Sequence, residues 1–247
     1  MSKELDFLKK IVIDASKLIT DDFKVDAKGN NGDLVTTYDY MVEQYLISQM
    51  NEAYPDFTII SEEYNSNNGL TENCFTIDPI DGTINFAHGL PMWVIQVAMV
   101  KKGKVCASVI YAPKLNELYS ADSSGAYLND KPIHVTDLEF EDSIFSMEGK
   151  NRYPVITEVL KYTHHARIPG SAGLDYAFMS AGRTGAVLFR NNSIWDYTPG
   201  LYMVQQAGGY VIDEPSLHIA ASTKKVADII RKCCEIADTT HIKNSDI

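Results

Sequence analysis

Three observations predict a layered α/β sandwich: two amphipathic helical patterns open the chain, short strand-like runs follow, and the second half interleaves helices with strands. Leu5, Leu8, Val12, Ala15 and Ile19 recur every three or four residues, which predicts a helix over residues 2–23. Residues 28–33, Lys-Gly-Asn-Asn-Gly-Asp, read as a turn-rich loop. Val42, Tyr45, Leu46 and Met50 give a second helix that ends before Pro55, because the residue ahead of a proline avoids the helical region. Strand-like runs at 57–60, 74–77, 93–100, 105–111 and 126–128, the last running into Asn129-Asp130, predict a mainly antiparallel sheet. Beyond it come a strand at 143–147, helices at 152–162 and 171–181, a strand at 186–189, and a helix at 195–206 stopped by Gly208-Gly209. Two short strands and a last helix at 223–237 follow, with a frayed tail after Ala237. The change of pattern divides the chain into an N-terminal α+β half, residues 1–140, and a C-terminal α/β half, residues 141–247, packed closely together.

Composition narrows the classes of function. Among 247 residues, 22 Lys+Arg face 33 Asp+Glu, a formal charge of −11, the wrong sign for a surface that neutralises nucleic-acid phosphates. No run approaches the roughly 18 apolar residues of a membrane span, and Glu4 and Asp6 interrupt the apolar stretch a secretory signal needs, so a cytoplasmic protein is expected. Cys74, Cys106, Cys233 and Cys234 show neither C-x-x-C nor zinc-finger spacing and read as reduced core or helix residues. The six histidines, His164-His165 included, have no partners at metal-ligand spacing. No repeat of 20–50 residues appears, which excludes solenoids and propellers.

The chemistry concentrates in residues 76–83, Thr-Ile-Asp-Pro-Ile-Asp-Gly-Thr. An apolar run ends in Asp78 and Asp81, with Pro79 fixing one backbone angle and Gly82 permitting a tight passage onward. Two carboxylates and the Ile80 carbonyl can converge there on a hard divalent cation such as Mg²⁺; the octet alone also reads as an ordinary acidic junction between strand and turn. It is not a calcium EF-hand loop, since Pro79 occupies the second position and Gly89 the twelfth. Ile59-Ile60-Ser61-Glu62-Glu63 places adjacent acids after a second apolar run, and Trp195-Asp196 opens a helical pattern. Taken singly, Asp196 and Asp39 each read equally as helix-capping acids.

Together these segments resemble the inositol monophosphatase family of Mg²⁺-dependent phosphatases. Residues 33–36 followed by Asp39, Ser61-Glu62-Glu63, the stretch from Asp78 to Asn85-Phe86, and Trp195-Asp196 with Gln206-Ala207-Gly208-Gly209 occur in the family's order and at near-family spacings, over nearly the whole chain. The resemblance implies an α/β/α/β/α sandwich of the sugar-phosphatase type. It assigns Glu62, Asp78 and the Ile80 carbonyl to a first Mg²⁺, and Asp78, Asp81 and Asp196 to a second; a third, weaker ion also at Glu62 is common in the family. Two ions roughly 4 Å apart activate water, neutralise phosphate and stabilise the leaving oxygen. Asp39 and Thr83 are the implied catalytic pair that orients the attacking water, and the N–H groups of Gly82 and Thr83 the implied phosphate grip. In-line hydrolysis of a phosphomonoester without a phospho-enzyme follows, with lithium inhibition and a homodimer as further family expectations.

Substrate choice lies outside the acidic turn. Asn85-Phe86 resembles the inositol monophosphatase and fructose-bisphosphatase-like branches and argues against a nucleotide substrate. Asp81, Ser171 and Ala172 match family segments that contact the sugar, while Ser171-Ala172 also reads as a small-residue helix start. Seven residues before Asp196, where many inositol phosphatases carry a ring-binding Glu, this chain has Phe189, followed by Arg190. A phenyl ring cannot accept hydroxyl hydrogen bonds, whereas an arginine receives a second phosphate or a carboxylate. Phe189 and Arg190 are therefore candidate substrate residues, although a strand-end Phe is more often core than contact. Pro199 is expected in the first turn of its helix. Lys28 either closes over the substrate or is solvated, and Met92, Trp93 and Val94 supply either core or dimer interface. Inositol 1-phosphate is the expected substrate, with fructose 1,6-bisphosphate or histidinol phosphate as alternatives, and a regulatory partner of the transcription or translation machinery as the non-enzymatic alternative.

Overall fold

The computed structural model describes residues 1–20, 24–28, 33–66, 69–149, 152–191 and 193–245. The apolar stripe of α1 (Lys3–Ser16) buries Leu5, Leu8, Ile11, Val12 and Ala15, and that of α2 (Thr37–Ala53) buries Val42, Leu46 and Met50. Both helices lie on one face of a seven-stranded sheet built from β3 (Thr58–Ser61), β4 (Cys74–Asp81), β5 (Val94–Lys101), β6 (Lys104–Ala112), β7 (Glu117–Asp122), β8 (Gly125–Leu128) and β9 (Lys131–Ile133), in that spatial order. Its other face meets α5 (Ala172–Ser180) and α6 (Ile194–Gln206). These middle helices also pack on a five-stranded sheet of β10 (Ile144–Gly149), β11 (His165–Arg167), β12 (Ala186–Arg190), β13 (Tyr210–Glu214) and β14 (Leu217–Ala221), ordered β11-β10-β12-β14-β13. On its far side lie α4 (Arg152–Val159) and α7 (Lys224–Ser245). The result is the α/β/α/β/α sandwich, with one apolar cluster at each of the four layer boundaries. A small hairpin, β1 (Val25–Lys28) with β2 (Asp33–Thr36), and the short α3 (Thr83–Ala87) complete the chain.

Several boundaries differ from the sequence expectation. The first helix stops at Ser16, whose hydroxyl turns back to the Ile13 carbonyl at 2.8 Å while Lys17 N–H reaches Asp14 O. Residues 21–23 of the expected helix, and 29–32 of the expected loop, lie outside the described residues. β7 escaped the pattern because Leu118, Tyr119, Ser120 and Ala121 are buried on both faces, which erases the period of two. The last helix continues through Ser245 rather than fraying after Ala237. Pro199 sits in the second turn of α6, not the first, because the helix begins at Ile194 after Ser193; the Trp195 carbonyl therefore has no helical N–H to accept. Trp93 and Val94 are core residues, and the four cysteines are free thiols.

What positions the site is the parallel pairing of β3 with β4, Ser61 opposite Ile77, which brings Glu62 and Asp78 out at one sheet end. Between Asp78 and Asp81 the register with β5 shifts, as expected where Pro79 cannot donate to a ladder. That irregularity carries Asp78, the Ile80 carbonyl and Asp81 towards the middle layer.

Candidate active site

Asp78 is buried, and its Oδ1 has no hydrogen-bond partner; its Oδ2 stands 3.5 Å from Nε2 of Gln96, the residue opposite it on β5. Burial raises its pKa well above the carboxylate range, and the charges of Glu62, Asp81 and Asp196 raise it further. Asp196, in the first turn of α6, is driven the same way by burial and then by Asp81 and Glu62. Asp81 lies against the start of α5, where its carboxylate accepts from Ser171 Oγ at 2.7 Å, Ala172 N–H at 3.2 Å and Gly173 N–H at 2.5 Å. Burial still lifts it to about 7 against those donors. Glu62 accepts from Lys28 Nζ at 2.8 Å, and Lys28 also reaches Glu63 at 2.5 Å. Burial alone would lower the Lys28 pKa, but Glu62 and Glu63 outweigh it and hold the ammonium charged.

The structure thus brings Glu62, Asp78, Asp81 and Asp196 into one electrostatic cluster. Among the described residues, however, no three acidic, His or Cys side chains are grouped as metal ligands. Glu62 points to Lys28 and Asp81 to the α5 N–H groups, each finding positive charge nearby. The donor set nonetheless suits a hard dication: all ligands are oxygens, and Asp78 Oδ1 is a buried acceptor with nothing to accept.

Asp39 caps α2 and also meets Thr83. Its Oδ2 accepts from Thr36 N–H at 2.7 Å and Thr36 Oγ at 2.6 Å, a capping box for α2, while Thr83 Oγ lies 3.3 Å from Oδ1. Burial raises Asp39 to about 6. Thr83 Oγ also lies 2.8 Å from the Ile80 carbonyl, so the expected catalytic pair and an expected ligand carbonyl meet at one hydroxyl. Gly82 adopts φ +93°, and a Cβ there would come within 2.9 Å of Met92 O, so only glycine fits the turn without strain. Gly82 and Thr83 line a cavity of about 390 Å³ with Lys28, Leu34, Glu62, Ile84, Asn85, Glu148, Arg152 and Gly170.

Four positioning residues escaped the sequence reading. Glu43, fully buried on α2, accepts from Ser61 Oγ at 2.5 Å and from the N–H groups of Glu63 and Tyr64 at 2.9 and 2.8 Å, fixing the segment that carries Glu62. Gln96 bridges Asp78 and the Asp196 carbonyl, the latter at 3.4 Å. Asn85 Nδ2 donates to Met92 O, Pro169 O and Gly170 O at 2.7, 2.8 and 3.3 Å, tying the acidic turn to the start of α5. Gly173 lets Asp81 approach: a Cβ there would lie 2.9 Å from Asp81 Oδ2 and 2.8 Å from Val94 Cγ2. A usable signal existed for Glu43 and Gln96, each a polar residue inside an apolar pattern that must be buried and must therefore find partners.

The structure places Phe189 and Arg190 elsewhere. Phe189 is 4% exposed, packed beside Tyr197 and His218 between α6 and the five-stranded sheet. Arg190 donates both Nη groups to Asp238 of α7, at 3.0 and 2.7 Å. Neither is among the residues that line the cavity: the phenyl ring is held by the apolar core and the guanidinium by a carboxylate. Ser171 and Ala172 are buried and are engaged with Asp81.

An acidic cluster beside a glycine turn, inside this five-layer sandwich, defines a phosphatase of the phosphoric monoester hydrolase class. The chain belongs to the inositol monophosphatase family, whose model matches residues 3–220. The fructose-1,6-bisphosphatase/inositol-1-monophosphatase of Thermotoga maritima is 36% identical over 76% of this chain and 75% of its own. A putative Nus factor SuhB of Neisseria meningitidis is 33% identical over 85% and 88% of the respective chains. In structure, a Thermotoga maritima IMPase superposes with a TM-score of 0.86 at 30% identity, covering 96% of this chain and 99% of that one. No helix among the described residues is long and apolar enough to cross a membrane.

Proposed function

We propose that the protein hydrolyses the phosphomonoester of a small polyol or sugar, inositol 1-phosphate in the first instance, with two or three Mg²⁺ per site. The observation that carries this reading is the buried Oδ1 of Asp78, an acceptor with no donor, in an acidic cluster with Glu62, which lines the same cavity as Gly82 and Thr83. Glu62, Asp78 and the Ile80 carbonyl would hold one ion and Asp78, Asp81 and Asp196 another. When bound, such ions acidify water, screen the phosphate charge and stabilise the departing oxygen. The chain's own part is positional. Gly82 and Thr83 present backbone N–H groups to phosphate oxygens, and the Thr83 hydroxyl orients the attacking water. Asp39, raised to about 6, is the acceptor that receives a proton through Thr83, since a hydroxyl alone is too weak a base. Asp81 turns its remaining acceptor capacity to a substrate hydroxyl beside Ser171 and Ala172. A cytoplasmic homodimer completes the reading.

The test is phosphate release by the purified protein, with and without Mg²⁺, from inositol 1-phosphate, fructose 1,6-bisphosphate, histidinol phosphate and adenosine 3′,5′-bisphosphate. Metal-dependent turnover of a polyol or sugar ester is expected, and turnover of the nucleotide alone would overturn the substrate class. The Neisseria relative's description as a putative Nus factor motivates a second reading, a regulatory partner of the transcription machinery. A protein with that role alone would release no phosphate in Mg²⁺.

A further inference from the structure

Beyond the phosphate the cavity needs groups that recognise the rest of the substrate, and among the described residues its lining offers two cations, Lys28 and Arg152. Lys28 donates to both Glu62 and Glu63. Arg152 is less committed: among the described residues its nearest carboxylate oxygen is Glu148 Oε2 at 3.6 Å, beyond hydrogen-bond distance, and its side chain is 42% exposed. Glu148 is committed elsewhere, its Oε1 accepting from Gly170 N–H at 2.5 Å, so it steers the guanidinium without occupying its donors. Helix stability does not explain the residue either, because a cation in the first turn of α4 opposes the helix dipole. The lining is otherwise acidic, with Glu62 and Glu148 in it and −11 on the chain, so a second negative group on a substrate would be repelled unless one cation received it.

Resting on the phosphatase reading above, we propose that Arg152 is the specificity-determining residue for the end of the substrate remote from the scissile phosphate. There it selects an anionic group, a second phosphate or a carboxylate, through its planar fork of N–H donors. A cavity of about 390 Å³ holds both ends of a hexose-sized molecule. Arginine suits this task better than lysine, because its donors match two oxygens at once.

Steady-state kinetics of wild type, Arg152→Gln and Arg152→Lys with fructose 1,6-bisphosphate and with inositol 1-phosphate test the proposal. For Arg152→Gln, KM for the bisphosphate is expected to rise about tenfold or more with kcat within about twofold, while both constants for inositol 1-phosphate stay within about twofold. Arg152→Lys keeps the charge and is expected to fall between the two. An unchanged KM for the bisphosphate, or equal losses on both substrates, would overturn the subsite and leave the phosphatase reading standing. Wild type that releases phosphate from inositol 1-phosphate in Mg²⁺ but not from the bisphosphate would overturn the subsite alone; release from neither would overturn the reading of both as substrates, and the subsite with it.

Discussion

At the end of β4, Asp78 is buried with one carboxylate oxygen free of partners, whereas across the middle helices, at the end of β12, Arg190 gives both Nη groups to Asp238. The residues next to each follow suit. Asp81 and Asp196 are pushed up in pKa by burial and by other acids, while Phe189 shares an apolar cluster and His218 has Asp213 Oδ1 at 2.7 Å and Asn191 O at 3.0 Å. Polar groups buried without satisfaction cost folding free energy, and a fold keeps them where a ligand returns it. Saturated groups hold the scaffold together. Asp78 shows the first condition at the site, and the Arg190–Asp238 pair the second in the frame.

The largest effect that tests this contrast is expected from Asp81→Asn, which removes charge from the cluster while keeping shape. Mg²⁺-dependent phosphate release should fall at least about 100-fold, measured at saturating substrate; retention of full activity would remove Asp81 from the site. Gly173→Ala sharpens the same point without touching a carboxylate. Its methyl would crowd Asp81 Oδ2 at 2.9 Å, and a loss of about tenfold in activity with a raised Mg²⁺ requirement is expected.

A smaller effect should appear in stability. An acid whose pKa is raised by folding binds its proton more tightly folded than unfolded, so stability present at low pH is lost as pH rises from the unfolded value towards the folded one. The window runs from about 4 up to about 6 for Asp39 and about 7 for Asp81 and Glu63, and burial raises Asp78 and Asp196 in the same direction. Thermal unfolding in chelator should show Tm falling by about 5 °C or more between about pH 5 and about pH 8, and Mg²⁺ should shrink the fall. A profile in chelator that is flat or rises with pH would break the contrast. At the frame end, Arg190→Gln loses a half-exposed ion pair and is expected to cost less than about 1 kcal/mol in urea unfolding, with activity within about twofold. A tenfold loss there would return Arg190 to the site.

The helical stripes, most strands, the ends of β4 and α6, and the acids at those ends were legible in the sequence, because apolar period and the chemistry of Asp, Pro and Gly are local properties. So was the fold class, since interleaved helices and strands have few ways to bury their apolar faces. Local pattern failed at β7, buried on both faces, and at Glu43, Gln96 and Gly173, whose roles exist only because distant segments meet them. Nor did spacing from Asp196 show that the packing of β12 against α7 supplies Arg190 with a carboxylate 48 residues away. The sequence by itself determined which donors the protein could offer to a cation and a phosphate. Only the tertiary structure decided which were left unsatisfied, and so able to act, because satisfaction depends on neighbours that chain order does not specify.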